Sequence, residues 1–192
     1  MGNHKEGNRK PDTNRQCEEV IAMCRTLYVR KLQDYGASWR IMRPQSLTDQ
    51  IFIKAKRIRS IETKGVSLID EDISSELIGI VNYGIIALIQ LEHGFSDTVD
   101  VDTDWAIGEY DKYACAALEL MKKKNHDYDE AWRDMRTSSY TDLILTKINR
   151  TKEIESHDGK TVVSEGIDAN YMDMINYAVF GLIKLVLEKE ER

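Results

Sequence analysis

Written against itself with an offset of 93, the 192-residue sequence pairs Lys31 with Lys124, Asp34 with Asp127, Tyr35 with Tyr128, Trp39 with Trp132, Arg40 with Arg133 and Arg43 with Arg136. The match runs on through Thr48 and Thr141, Asp49 and Asp142, Lys54 and Lys147, Arg57 and Arg150, and Glu62 and Glu155. Beyond Glu62 one residue is inserted in the second half, the offset becomes 94, and Asn82-Tyr83 meets Asn176-Tyr177. Self-similarity at one long period means a single supersecondary unit built twice. Fold and any binding site must therefore come in two related copies.

With two prolines and eleven glycines among its residues, the chain has little material for a turn-rich β protein, and its 42% apolar content supports a real core. Each half reads as three helical segments. The first covers 16–32 and 109–124, with Val20, Cys24 and Leu27 at helical spacing. A short irregular stretch follows, D-Y-G-A-S-W-R-I-M-R-P in one half and D-Y-D-E-A-W-R-D-M-R-T in the other, with Gly36 and Pro44 as local breakers. The second helix is expected to open at Ser46 or Thr48, and at Ser139 or Thr141, as N-caps, with Asp49 and Asp142 in the first turn, and to end near Glu62 and Glu155. Turn-rich connectors over 63–72 and 156–166 lead to the most apolar helices, 73–91 and 167–187. The expected division is a polar, mobile tail 1–15, a first helical repeat 16–92, an acidic linker 93–108 and a second helical repeat 109–192. A half this short, with so apolar a last helix, would leave a greasy face exposed if it stood alone. The predicted fold is thus all-α: one internally duplicated helical bundle with pseudo-twofold symmetry, in which Ile80 and Ile175 pack near the axis.

The net charge of -6 argues against a broadly basic surface for nucleic acid and leaves room for a local basic pocket, so a small phosphorylated ligand is the expected partner. Cys17, Cys24 and Cys115 form no C-x-x-C pair and are odd in number, which suggests buried thiols in a reducing cytoplasm. The longest apolar run, about 77–91, is interrupted by Asn82 and Gln90 and is judged too short to cross a bilayer, and the N-terminus lacks the apolar core of a signal peptide. A cytoplasmic protein, compatible with a homo-oligomer, is expected.

Two constellations carry chemistry. In each half the loop gathers an acid, a tyrosine, a tryptophan and two arginines: Asp34, Tyr35, Trp39, Arg40 and Arg43, then Asp127, Tyr128, Trp132, Arg133 and Arg136. Lysine and arginine follow at i, i+3 on one helix face, Lys54 with Arg57 and Lys147 with Arg150. Aromatic planes suit a nucleobase and arginine forks suit phosphate; the alternative for the tryptophans is to pack the bundle. The second constellation is acidic. Asn170, Asp173 and Asn176 or Tyr177 share a face of the last helix, with Asp168 a turn earlier, whereas the first half offers Ser74, Glu76, Gly79 and Asn82. Oxygen groups on so apolar a helix need a partner, either Mg²⁺ or the cations Lys147 and Arg150. The alternative use of such a pair is to hold helices in register.

The segments K-N-H-D-Y-D-E-A-W-R-D-M-R, T-D-L-I-L-T-K-I-N-R and S-E-G-I-D-A-N-Y-M-D-M-I-N-Y-A resemble the nucleotide modification associated domain 1 family, once per half. More distantly, the chain is similar to the all-α nucleoside triphosphate pyrophosphatases of the MazG and dimeric dUTPase type, which carry E-x-x-E on one helix and E-x-x-D on the next. Asn170 and Asp173 resemble the latter motif, and Glu76 with Gly79 keeps its other member, while Lys54-x-x-Arg57 and Lys147-x-x-Arg150 stand where the former would be. The resemblance implies an intracellular nucleotide-binding protein that hydrolyses a nucleoside triphosphate to monophosphate and pyrophosphate. In that reading Tyr128 and Trp132 flank the base, and Arg133, Arg136, Lys147 and Arg150 hold phosphates. Asp168 and Asp173 hold Mg²⁺ or position a water, and Glu76 is contributed across the pseudo-twofold interface. The first copy would bind through Arg40, Arg43, Lys54 and Arg57. The alternative is a non-catalytic module that senses a nucleotide or binds a partner protein.

Overall fold

The computed structural model describes residues 12–65 and 72–188. Residues 1–11 of the expected tail, and most of the expected connector 63–72, lie outside the described residues. The first half contains α1 (Thr13–Tyr35), a 3₁₀ turn (Ser38–Ile41), α2 (Pro44–Lys64) and α3 (Ile73–His93). The second repeats the order with α4 (Thr103–Tyr128), a 3₁₀ turn (Ala131–Asp134), α5 (Thr137–Ser156) and α6 (Ile167–Leu182), which runs on into a π-helical turn (Ile183–Leu187).

Three helices open on aspartate caps. The side chains of Asp12, Asp72 and Asp102 accept from the backbone N–H of Arg15, Ser75 and Trp105 at 3.2, 3.2 and 2.8 Å, satisfying donors that the first turn leaves free. The cap at Asp12 starts α1 at Thr13, so residues 13–15 are helix and not tail; the cap at Asp102 makes 103–108 helix and not linker. Helices α2 and α5 begin differently from expectation. Arg43 and Arg136 are their caps, without a side-chain cap bond, and Pro44 occupies the first helical turn, where its missing N–H costs nothing. Thr48 and Thr141 are therefore inside the helices and are spent on tertiary contacts instead.

Those contacts define the symmetry. Thr48 Oγ1 donates to Glu155 Oε1 at 2.7 Å, and its equivalent Thr141 Oγ1 donates to Glu62 Oε1 at 2.9 Å. Asp49 pairs with Lys152, and its equivalent Asp142 pairs with Arg59. Helices α2 and α5 thus run antiparallel about the pseudo-twofold axis, each offering the other the same residues. Beneath them α3 and α6 make the most extensive helix contact in the bundle, and α1 and α4 cover the remaining faces. Ile80, Val81 and Ile85 of α3 and Met174, Ile175 and Ala178 of α6 are fully buried in one continuous core. Gly84 permits the closest approach, since a Cβ there would lie 2.7 Å from Ile175 Cγ1. The halves share a core, as expected of a single duplicated all-α bundle.

Two sequence expectations need correction. Helix α3 is long and apolar enough to span a bilayer by length and composition, although 67% of its apolar window is buried inside the bundle. Asn82 and Gln90 do not interrupt it, because α1, α4 and the 3₁₀ turn supply them with hydrogen-bond partners. Of the cysteines, Cys17 and Cys24 are buried, and burial pushes both thiols up to about 12, but Cys115 is exposed on the outer face of α4.

Candidate functional site

In each half a pocket opens between the end of the long first helix, the 3₁₀ turn and the last helix. The second-half pocket, about 310 Å³, is lined by Met121, Lys124, Tyr128, Trp132, Asp173 and Tyr177 among others. The first-half pocket, about 400 Å³, is lined by their equivalents Tyr28, Lys31, Tyr35, Trp39, Gly79 and Tyr83. Asn125, Ala131, Met135, Asn176 and Phe180 in one correspond to Leu32, Ser38, Met42, Asn82 and Ile86 in the other, so Leu143 is the lone lining residue of the second pocket without a counterpart. The duplication has built the same concavity twice.

The tryptophans form walls of these pockets. Trp132 stacks on Phe180 at 4.4 Å between ring centroids, the Arg133 guanidinium lies 4.4 Å from its ring centroid, and both Trp39 and Trp132 are only 6% exposed. Little ring face is left for a base. The tyrosines are the accessible aromatics: Tyr35 and Tyr128 are 56% and 72% exposed at the rims, with the half-buried Tyr83 and Tyr177 beside them. Burial, and then the charge of Asp173, raises the Tyr177 phenol above its ordinary pKa.

The two copies differ most in their acids. Asp173, buried on α6, holds Lys124 through Oδ1 and Lys147 through Oδ2. Partial burial works against the charge on Lys124, but the hydrogen bond and charge of Asp173, with Glu165 nearby, hold its pKa above the usual lysine value. In the first half the equivalent position is Gly79, and the stem of Lys54 fills the space: a Cβ there would lie 2.5 Å from Lys54 Cε. The first-half acid sits one turn earlier, where buried Glu76 pairs with Lys54 at 3.2 Å and with Arg57. Lys147 and Arg150 also line a larger cleft of about 690 Å³ against the 157–165 connector and Asn170. The Asp173 carboxylate, with a lysine from each side, stands where the aromatic pocket and this cationic cleft meet.

Other expected site residues are placed elsewhere. Arg40 is 4% exposed, and its guanidinium donates to Gln90 Oε1, to the Gly94 carbonyl at 2.6 Å and to Asp100 at 2.8 and 3.2 Å. Gln90 in turn donates to the carbonyls of Trp39, Arg40 and Met42. Arg133 likewise donates to Glu130, Glu188, Thr13 and Gln16. These two arginines fasten the 3₁₀ turns, and their forks are not presented to a ligand. Arg43 and Arg136 are exposed at the starts of α2 and α5, and Asp34 and Asp127 are exposed outside the pocket linings. Glu76 lines neither copy's Asp173-type corner across the interface: its partners are Lys54 and Arg57 of its own half. Lys124 went unselected in the sequence, although Lys31 and Lys124 open the repeat match.

The donors do not fit Mg²⁺. Each oxygen of Asp173 already faces an ammonium group, and Asp168 is exposed in the first turn of α6, outside the pocket. A hard cation needs several oxygen ligands at once, and this corner offers a single carboxylate, already neutralised, beside the uncharged oxygens of Asn176 and Tyr177. Among the described residues Glu92, His93 and Glu109 lie close enough together to share an ion, but Lys112 Nζ bridges the two glutamates at 2.8 and 3.2 Å.

Comparison with known families gives one match, to the model of the nucleotide modification associated domain 1, over residues 31–91 and again over 124–185. No curated protein and no solved structure matches the chain. The two matched segments each cover most of one pocket's lining, with Leu27, Tyr28 and Met121 just outside them.

Proposed function

The chain belongs to the nucleotide modification associated domain 1 family, in two tandem copies, and from that premise we propose that it binds a nucleotide in its second half. The base enters the aromatic pocket between Tyr128 and Tyr177, and the phosphates lie over Lys124, Lys147 and Arg150 toward the cationic cleft. The observation that carries this reading is the junction at Asp173, where an apolar aromatic pocket adjoins a cleft and the cations Lys124, Lys147, Arg150 and Lys160 outnumber the acids Asp173, Glu153 and Glu165. Asp173 holds the two ammonium groups together, so that a phosphate meets a preformed pair. The volume of about 310 Å³ lies at the small end of ligand pockets, suited to a base with the rest of the nucleotide outside.

Binding without turnover is the form of this reading that the side chains favour, because the acid of the site is engaged by lysines. The second reading, hydrolysis to monophosphate and pyrophosphate, rests on that same buried Asp173 and requires it to exchange a lysine for another partner. One experiment separates them. Thermal unfolding is followed with nucleoside mono- and triphosphates, with and without Mg²⁺, and pyrophosphate release is read in the same samples. Stabilisation that grows with ligand concentration, about 2.7 kcal/mol at a hundredfold excess over Kd, and that survives EDTA is the expected result. Pyrophosphate release lost in Asp173→Asn would establish the hydrolase instead, and no shift with any nucleotide would reject both.

A further inference from the structure

Two buried N–H donors line the second-half pocket without an acceptor among the described residues: Asn176 Nδ2 and Trp132 Nε1. Their residues are 5% and 6% exposed. An unpaired buried donor is costly and uncommon, and two in one pocket indicate a missing acceptor. The copy shows that this is built in. Asn82, the equivalent amide, is fully employed: its Nδ2 donates to the Cys24 carbonyl at 3.1 Å and its Oδ1 accepts from Tyr110 at 2.7 Å. By the repeat, the residue corresponding to Tyr110 is Cys17, whose thiol is a poor hydrogen-bonding group and is turned to Met121. Trp39 Nε1 makes no hydrogen bond of full geometry either, but it has the Tyr28 phenol as company, whereas Met121 stands in that place beside Trp132; the Asn176 amide is the further donor that the second pocket adds.

We propose, building on the nucleotide reading above, that the deep end of the second-half pocket selects a nucleobase bearing an exocyclic oxo group, with Asn176 as the selecting residue. An oxo oxygen has two lone pairs and accepts from either donor or both, whereas the amino group of adenine can pair with Asn176 only through its Oδ1 and leaves the donor-only Trp132 indole N–H facing another donor. A site built to hydrogen-bond one edge rejects the base that lacks it because its own polar groups stay unpaired.

Isothermal titration with CMP, UMP, GMP, AMP and ribose 5-phosphate tests this on the full chain. The oxo-bearing nucleotides are expected to bind more tightly than AMP or ribose 5-phosphate. Asn176→Asp turns the donor into an acceptor, and it should weaken the oxo-bearing nucleotides by about tenfold or more while sparing AMP. Asn176→Ala should level the preference, and melting curves of both variants confirm that they are folded. If AMP matches CMP in the wild-type protein, or if the preference survives in folded Asn176→Ala, base selection fails while nucleotide binding stands. If ribose 5-phosphate binds as well as the nucleotides, the base is not read at all. Absence of binding by every probe overturns this proposal together with the function on which it rests.

Discussion

Asn82 and Asn176 occupy equivalent places on equivalent helices, yet one is tied into the core by hydrogen bonds and the other keeps a buried donor without an acceptor. The difference is set by a residue from elsewhere in the chain. Tyr110 of α4 reaches Asn82 with its hydroxyl, and that same hydroxyl belongs to a ring stacked on Tyr28 at 4.3 Å, so the amide is tied into the contact between the halves. Asn82→Ala should therefore cost about 1 to 3 kcal/mol, since it strands the Tyr110 hydroxyl and removes the second hydrogen bond on the Cys24 carbonyl. Asn176→Ala should leave the ligand-free protein at least as stable as the wild type, because the donor it removes is buried without an acceptor. Urea unfolding of the two variants decides the matter, and equal losses would mean that Asn176 has a structural partner after all. The sequence showed both asparagines as members of a repeated N-Y pair. It could not show which was satisfied, because that depends on a phenol 28 residues away from Asn82 and on a thiol in the matching place. The same holds for Arg40 and Arg133, whose repetition suggested a ligand but whose partners, Gln90, Asp100 and Glu188, come from distant elements.

Helix existence and order were legible because the apolar spacing is strong and the repeat doubles it; helix starts were less so. Pro44 looked like a breaker and is instead the first helical residue, and this moved Thr48 and Thr141 from caps to the α2–α5 interface. There they face Glu62 and Glu155, and the interface makes a pH prediction. Burial raises both carboxyls above the ordinary 4.5, with the threonine hydrogen bonds and the neighbouring Arg59 and Lys152 opposing it and Asp142 and Asp49 adding to it. A carboxyl with a raised folded-state pKa favours the fold fully below its unfolded value and loses that contribution as pH rises through the folded one. At neutral pH the two glutamates are thus charged in a site that prefers them neutral. The double variant Glu62→Gln, Glu155→Gln should melt above the wild-type protein at pH 7, and the gap should close below pH 4.5, the unfolded reference of both groups. A gap that widens in acid would show that the glutamates are held as carboxylates by Arg59 and Lys152.

At the scale of the whole molecule, duplication has given two pockets one frame and then let their charge diverge. Sequence comparison located the divergence, Asp173 against Gly79 and Asn170 against Glu76, but not its consequence, which depends on where two lysine stems run. In the second half Lys124 and Lys147 converge on Asp173; in the first Lys54 lies across Gly79 to reach Glu76, beside Arg57, and Lys31 stays exposed on the pocket rim. If convergence of two ammonium groups is what makes a phosphate site, transplanting the acid should create a second one. Gly79→Asp together with Glu76→Asn gives the first copy the residues of the second at both positions. The obstruction at Gly79 is the far end of a flexible side chain, with Lys54 Cε at 2.5 Å and Cδ at 2.6 Å from the new Cβ, so the lysine can swing aside once Glu76 no longer holds it. Aspartate is a slightly better helix former than glycine, so the replacement itself costs the helix nothing. Titration of the wild-type chain should report about one nucleotide site, and the double variant about two. Asn82 remains tied to Tyr110 in the variant, so the added site should not distinguish oxo-bearing bases from adenine in the way the native one does. A folded double variant that still binds a single nucleotide would show that the lysine pair is not what qualifies the second half, and would move the phosphate site to the Arg150 side of the cleft.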